Sequence, residues 1–318
     1  MSPRVWRCVR FSGAAAVLAA IVWRLGTGPF RSGIAAVDAR VLAVGLAIGL
    51  VTTICCAWRW TVVARGLGVE LSLPAAIAAY YRSIFLNLTL PGGVVGDVHR
   101  GVRHGRDAGD VGRGLRAVAW ERTAGQVVQA LLTLVVLLAL PSPVHAFAVP
   151  VAIGVAGASI GVVLLVERAR PRGRSWWGRV RRGVARDVRR GLLAHGALPV
   201  VAFTSALVVV GHALAFLVAA RAAGVSAPPA QMVPLALLAM LGMVVPGIAG
   251  WGPREGATAW VFGAAGLGAD QGVATAVVYG VMALVAALPG ALVLLGGRLQ
   301  PPLRPRVAAA RTDGVTDA

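Results

Sequence analysis

Two apolar runs in this chain stop at a Pro-Gly pair and then turn polar at a depth where a membrane segment stays apolar. The first reads NLTLPGGVVGDVHRG from Asn87 to Gly101, and the second reads VVPGIAGWGPREGA from Val244 to Ala257. In the first, Pro91-Gly92 precedes Gly96, Asp97 and Arg100; in the second, Pro246-Gly247 precedes Gly250, Gly252, Arg254 and Glu255. Hydrophobic segments broken at corresponding positions of two halves mark the substrate site of a transporter near the membrane midplane. A half-helix starting at such a turn presents free N–H groups to an anion, and a lipid phosphate is one candidate. The glycines permit the tight turns and close backbone approach that this needs.

The composition supports that setting. With 58% hydrophobic residues, 14% charged residues and a mean hydropathy of +0.77, the chain reads as an all-α polytopic membrane bundle rather than a soluble globular protein. Its charge is placed unevenly. All 31 basic residues are Arg, and ten of them fall between Glu167 and Arg190. The positive-inside rule puts that stretch in the cytoplasm, and both termini follow if six segments cross. The spans are expected near 10–25, 41–60, 117–140, 144–166, 197–221 and 271–296, each close to the ~20 apolar residues a crossing helix needs. The runs 74–91 and 232–246 are shorter and read as re-entrant hairpins entering from opposite sides, as an inverted repeat requires. This divides the chain into a membrane domain over 1–298 and a disordered cytoplasmic tail over 299–318. A cleaved signal peptide is not expected, because the first apolar run lacks a small-residue cleavage site. The expected setting is a bacterial plasma membrane.

Cys8, Cys55 and Cys56 show no CxxC spacing, and the five His are scattered, so no disulfide framework, metal site or cofactor is expected. In the Arg-rich stretch, Trp176, Val180, Val184, Val188 and Leu192 recur every four residues. That spacing makes either an amphipathic helix lying against anionic lipid or a solvated loop that sets topology. Nucleic acid is excluded as a partner, because the Arg run is tethered between spans.

Three acidic residues sit in or beside apolar segments: Asp97, Glu121 and Glu255, each with an Arg close in sequence, at Arg100, Arg122 and Arg254. A charge at the centre of a membrane helix costs about 2.5–3.5 kcal/mol even on the mild scale, so each needs a partner, a cavity or a substrate. Neighbours at i and i+1 on a helix do not face each other. The expected pairing therefore crosses the repeats, Glu121 with Arg254, and Arg122 with Glu255 or Asp97. On the same helix Arg122, Gln126, Gln129 and Thr133 share one face, either as interhelical glue or as a polar groove. A groove predicts that Gln126→Leu or Gln129→Leu impairs transport more than folding. Asn87 caps a broken helix end or meets a headgroup, and Tyr80-Tyr81-Arg82 reads as an interfacial belt.

At these motifs the chain resembles the lysylphosphatidylglycerol synthase transmembrane family, whose members are also described as flippase-like integral membrane proteins. The likeness rests on NLTLPGGVVGDVHRG, on AWERTAGQ from Ala119 to Gln126, on PGIAGWGPREGA with the following GAAGLGADQGVATA, and on the closing LPG at Leu288–Gly290. It covers roughly residues 40 to 296 and implies a module that handles or translocates lipids, with anionic phospholipid as the partner. Bifunctional members carry a soluble aminoacyl-transferase domain after the membrane part. Here a short Arg- and Pro-containing tail follows Arg298, so no enzymatic activity is expected. The family often has a larger residue where this chain has Gly92-Gly93, which leaves headgroup choice open. Two other readings compete: a membrane-embedded transferase on a lipid phosphate, with Asp97, Glu121 or Glu255 as its base, and a partner subunit that transports nothing itself.

Overall fold

The computed structural model describes residues 18–90, 93–140, 176–194, 196–243 and 251–296, with 176–182 in backbone only, and scattered positions between 146 and 164. Pro91, Gly92, Pro246, Gly247 and Gly250, most of the span expected near 144–166, and the tail over 299–318 lie outside the described residues. Of the span expected near 10–25, residues 18–25 are described and helical.

The helices are α1 (Gly28–Ala35), α2 (Ala39–Gly66), α3 (Leu73–Thr89), α4 (Val95–Asp107), α5 (Val111–Ala139), α6 (Trp176–Gly191), α7 (Ala197–Ala222), α8 (Pro229–Gly242), α9 (Pro253–Ala264), α10 (Ala269–Ala287) and α11 (Pro289–Gly296). Local chemistry sets several of their ends. Asp38 starts α2 by accepting from Val41 N at 2.7 Å, and Asp110 starts α5 by accepting from Arg113 N at 2.9 Å. The Asp110 cap explains why α5 begins well before the expected residue 117. Pro sits in the first turn of α3, α8 and α9, where its missing N–H has no intrahelical partner to lose. Among the described residues, α2, α5, α7 and the run Ala269–Gly296 are long and apolar enough to cross a membrane, and α8 is a shorter apolar helix.

The order repeats. A long helix, a short apolar helix, a short helix with a charged first turn and a further long helix occur as α2–α3–α4–α5 and again as α7–α8–α9–α10. The packing between the units is reciprocal: α2 lies on α7, the α2–α10 contact is matched by α7–α5, and α3–α10 by α8–α5. Helices α2 and α7 run antiparallel, since Ile48 and Thr52 lie at Gly211, Arg59 bonds Ser205, and Val63 packs with Val201. By contrast α2 and α10 run parallel, with Gly45 against Met282 and Gly49 against Ala286. Equivalent helices that pack antiparallel are the signature of an inverted repeat.

Apolar packing unites the second unit around Phe216, Met232, Leu235, Phe262 and Tyr279. In the first unit Trp60, Val69, Tyr80 and Val118 form an apolar cluster, and small residues bring its helices close. At the α4–α5 crossing a side chain on Gly114 would overlap the carbonyl of Gly101 and the Cα of Gly105. Close approach of this kind replaces the hydrophobic drive that helices lack in lipid. Gly114→Ala is therefore expected to destabilise the protein by about 1–3 kcal/mol, because backbone must move. Thermal melting in detergent measures it, and a wild-type melt would contradict the close seam.

Helix α6 forms, as the four-residue spacing allows. Its Asp187 is buried and binds Arg116 Nε at 2.9 Å and Trp120 Nε1 at 3.3 Å, so its C-terminal half docks on α5.

Candidate functional site

Charge collects where α2, α3, α4 and α5 meet. Glu121, on α5, is fully buried at 0% exposure, and its two oxygens are divided among three helices. Oε1 accepts from Arg59 Nε of α2 at 2.9 Å, from Arg59 Nη2, and from the Tyr80 hydroxyl of α3 at 3.1 Å. Oε2 accepts from Arg100 Nη2 of α4 at 3.1 Å. Arg59 also donates to Ser205 Oγ of α7 at 2.9 Å, which links the cluster to the second repeat. Gly125 makes room for that guanidinium, which a side chain there would meet at 3.0 Å.

Asp97 forms the second node, in the first turn of α4. Its Oδ1 accepts from Ser83 Oγ at 3.1 Å and Arg100 Nη2 at 3.0 Å, and its Oδ2 from Asn87 Nδ2 at 3.0 Å and Arg122 Nη2 at 2.6 Å. Asn87 uses its other end as a cap, accepting from Gly96 N at 2.8 Å. One amide thus ties the end of α3 to the start of α4, across residues 91–92. Gly96 is required there, since any side chain would run into the Ser83 carbonyl.

Arg100 is sealed at 1% exposure, with its guanidinium 4.4 Å from the Trp60 ring and 4.1 Å from the Tyr80 ring. Such stacking stabilises a cation by about 2 kcal/mol when desolvated. Arg122 differs: its side chain is 43% exposed, against 5% for Arg59 and 0% for Arg100, although its Nε is buried without a partner among the described residues. Among the described residues three guanidinium groups face two carboxylates, leaving one positive charge over.

The second repeat carries a smaller, balanced cluster at the start of α9. Glu255 Oε2 accepts from Gly252 N at 2.7 Å, closing the first turn, while Oε1 accepts from Arg254 Nε at 2.9 Å and Nη2 at 2.6 Å. Arg254 also lies 5.0 Å from the Trp251 ring and 6.0 Å from that of Tyr279. Tyr279 Oη meets His212 Nδ1 at 2.8 Å.

These contacts decide several of the expectations above. Glu121 pairs with Arg59 and Arg100 within its own repeat rather than with Arg254 across the repeats. Of the partners expected for Arg122, Asp97 is the one it meets, also within the first repeat. Arg254 and Glu255 do face each other despite being adjacent, because Glu255 turns back to cap Gly252 and the long Arg side chain folds over it. Tyr80 and Tyr81 are buried at 3% and 8%, not laid out as an interfacial belt. The polar face of α5 is split: Arg122 joins Asp97, Thr133 bonds its own helix at Gln129 O, Gln126 is half-buried, and Gln129 is buried with its Nε2 unpartnered.

The sequence has a counterpart among known families. The family model for the lysylphosphatidylglycerol synthase TM region matches residues 9–290. The chain belongs to that family. It is accordingly a multi-pass membrane protein with a role tied to membrane lipids. No curated protein matches it in sequence. Sequence reasoning missed one central residue, Arg59, whose signal was nonetheless present: a lone Arg flanked by Trp58 and Trp60 inside an apolar span. A charge in such a place needs a buried counter-charge.

Proposed function

We propose that this chain translocates anionic phospholipid across a bacterial plasma membrane. The hairpins α3–α4 and α8–α9 re-enter the membrane from opposite faces, and their charged turns form the polar site. The observation that carries this reading is the unbalanced buried network around Glu121 and Asp97, whose surplus positive charge has an outlet at the accessible Arg122. A lipid phosphate supplies the missing negative charge, and the surplus makes its passage through the apolar interior less costly. Gln126, half-buried further along α5, extends polar contact to a headgroup. Both termini and α6 lie on the cytoplasmic side in this reading, in keeping with their Arg content.

Translocation fits better than transferase chemistry. Asp97, Glu121 and Glu255, the carboxylates a transferase would use as base, each already accept from at least one Arg. A carboxylate already engaged by Arg is not free to take a proton from a substrate.

The test is reconstitution in phosphatidylcholine vesicles containing a trace of fluorescently tagged phosphatidylglycerol, with dithionite bleaching from outside. Bleaching beyond the outer-leaflet fraction supports translocation. Bleaching that stops at that fraction contradicts it, and mass-spectrometric turnover of the lipid would point to the transferase instead.

A further inference from the structure

Helix α4 is polar inside and apolar outside at its deep end, the reverse of a soluble helix. Its inner face is Gly96, Asp97, Arg100, Gly101, His104 and Gly105, all buried. Its outer face carries Val94, Val95 and Val98 at 43%, 39% and 52% exposure. These valines, with Val102, His99, Arg103, Arg106 and Asp107, line an open groove of about 530 Å³. From Val95 through Val98 and Val102 to Arg106 the residues are three or four apart, so they form one stripe. It is apolar at the hairpin tip and cationic at the other end.

That gradient has the polarity of a lipid. The stripe is about 16 Å long at 1.5 Å per residue, close to the ~15 Å depth of one leaflet, half of the hydrocarbon core. The charge at its outer end is not balanced locally. Among the described residues His99, Arg103 and Arg106 face only Asp107 along the groove, and beneath them Arg82 of α3, 7% exposed, has no partner there for its Nε.

We infer that the outer groove of α4 docks one anionic phospholipid of the leaflet the α3–α4 hairpin enters, with its phosphate at Arg103 and Arg106 and an acyl chain along Val102, Val98 and Val95. This site is distinct from the buried Asp97–Glu121 network on the opposite face of the same helix, and the inference rests on the re-entrant placement proposed above.

Photo-crosslinking tests it without a transport assay. A benzophenone amino acid is placed at position 98, or at position 135 on α5, where Val135 is 60% exposed. Each full-length protein is set in nanodiscs of phosphatidylcholine with phosphatidylglycerol as the minor lipid. The expected result is phosphatidylglycerol adduct enriched over its bilayer share at 98 and not at 135. Arg103→Gln and Arg106→Gln each lower that enrichment by up to about fivefold, with unchanged melting, since both side chains are exposed. Adducts at 98 in bulk proportion, or to another segment of the chain, overturn the docking site. Absence of any lipid adduct at 98 while 135 reacts overturns the re-entrant placement as well.

Discussion

Glu121→Gln is expected to lower stability by about 3–5 kcal/mol, the cost of leaving a buried charge without its partner. Glu121 binds two guanidinium groups at once, but they do not lose equally. Arg100 keeps Asp97 at 3.0 Å, whereas Arg59 is left with Ser205 Oγ at 2.9 Å and the weak acceptor Cys56 Sγ at 3.7 Å. The replacement amide turns an N–H toward a cation. Thermal or denaturant melting in detergent measures the loss, and the double variant Arg59→Met with Glu121→Gln should recover part of it by removing the stranded cation. A double exchange of Glu121→Arg with Arg254→Glu should recover nothing, because those residues pair within separate repeats. Loss below about 1 kcal/mol in the single variant would place Glu121 in water or against solvent-exposed partners.

Glu255→Met should be nearly as damaging, for two reasons that add. It strands Arg254, whose carboxylate partner among the described residues is Glu255, and it removes the cap on Gly252 N that closes the first turn of α9. The charge accounts for about 3 kcal/mol and the cap for about 1 kcal/mol more. Adding Arg254→Met should restore the first part and not the second, so the double variant still melts below wild type. Full recovery would mean that the cap contributes nothing.

Much of this architecture is legible in the sequence. The long apolar runs mark α2, α5 and α7, and the two interrupted runs mark the hairpins with their charged turns. The match of NLTLPGGVVGDVHRG and VVPGIAGWGPREGA to α3–α4 and α8–α9 follows from a simple constraint: charges stay in an apolar setting only beside each other. Their pairing is a different matter. Sequence separation says which residues cannot meet on one straight helix, but Glu255 occupies a first turn, where a side chain can reach back to its own cap. Arg59 was missed for a related reason, because its span reads as uniformly apolar unless a lone Arg is treated as a demand for a counter-charge. Tyr80 looked like a surface marker since aromatic pairs beside Arg usually are. Only the crossing of α2, α3 and α5 places its hydroxyl on Glu121.

The central claim is that the surplus positive charge of the first cluster meets an anionic headgroup at Arg122, and Arg122→Gln tests it most directly. The variant leaves Asp97 with Arg100, Ser83 and Asn87, so folding should change little. In the vesicle assay, translocation of tagged phosphatidylglycerol should fall about tenfold, the loss of one charge-assisted hydrogen bond, while the melting temperature stays near wild type. Wild-type translocation by the well-folded Arg122→Gln protein would contradict the account and place the lipid path elsewhere in the bundle.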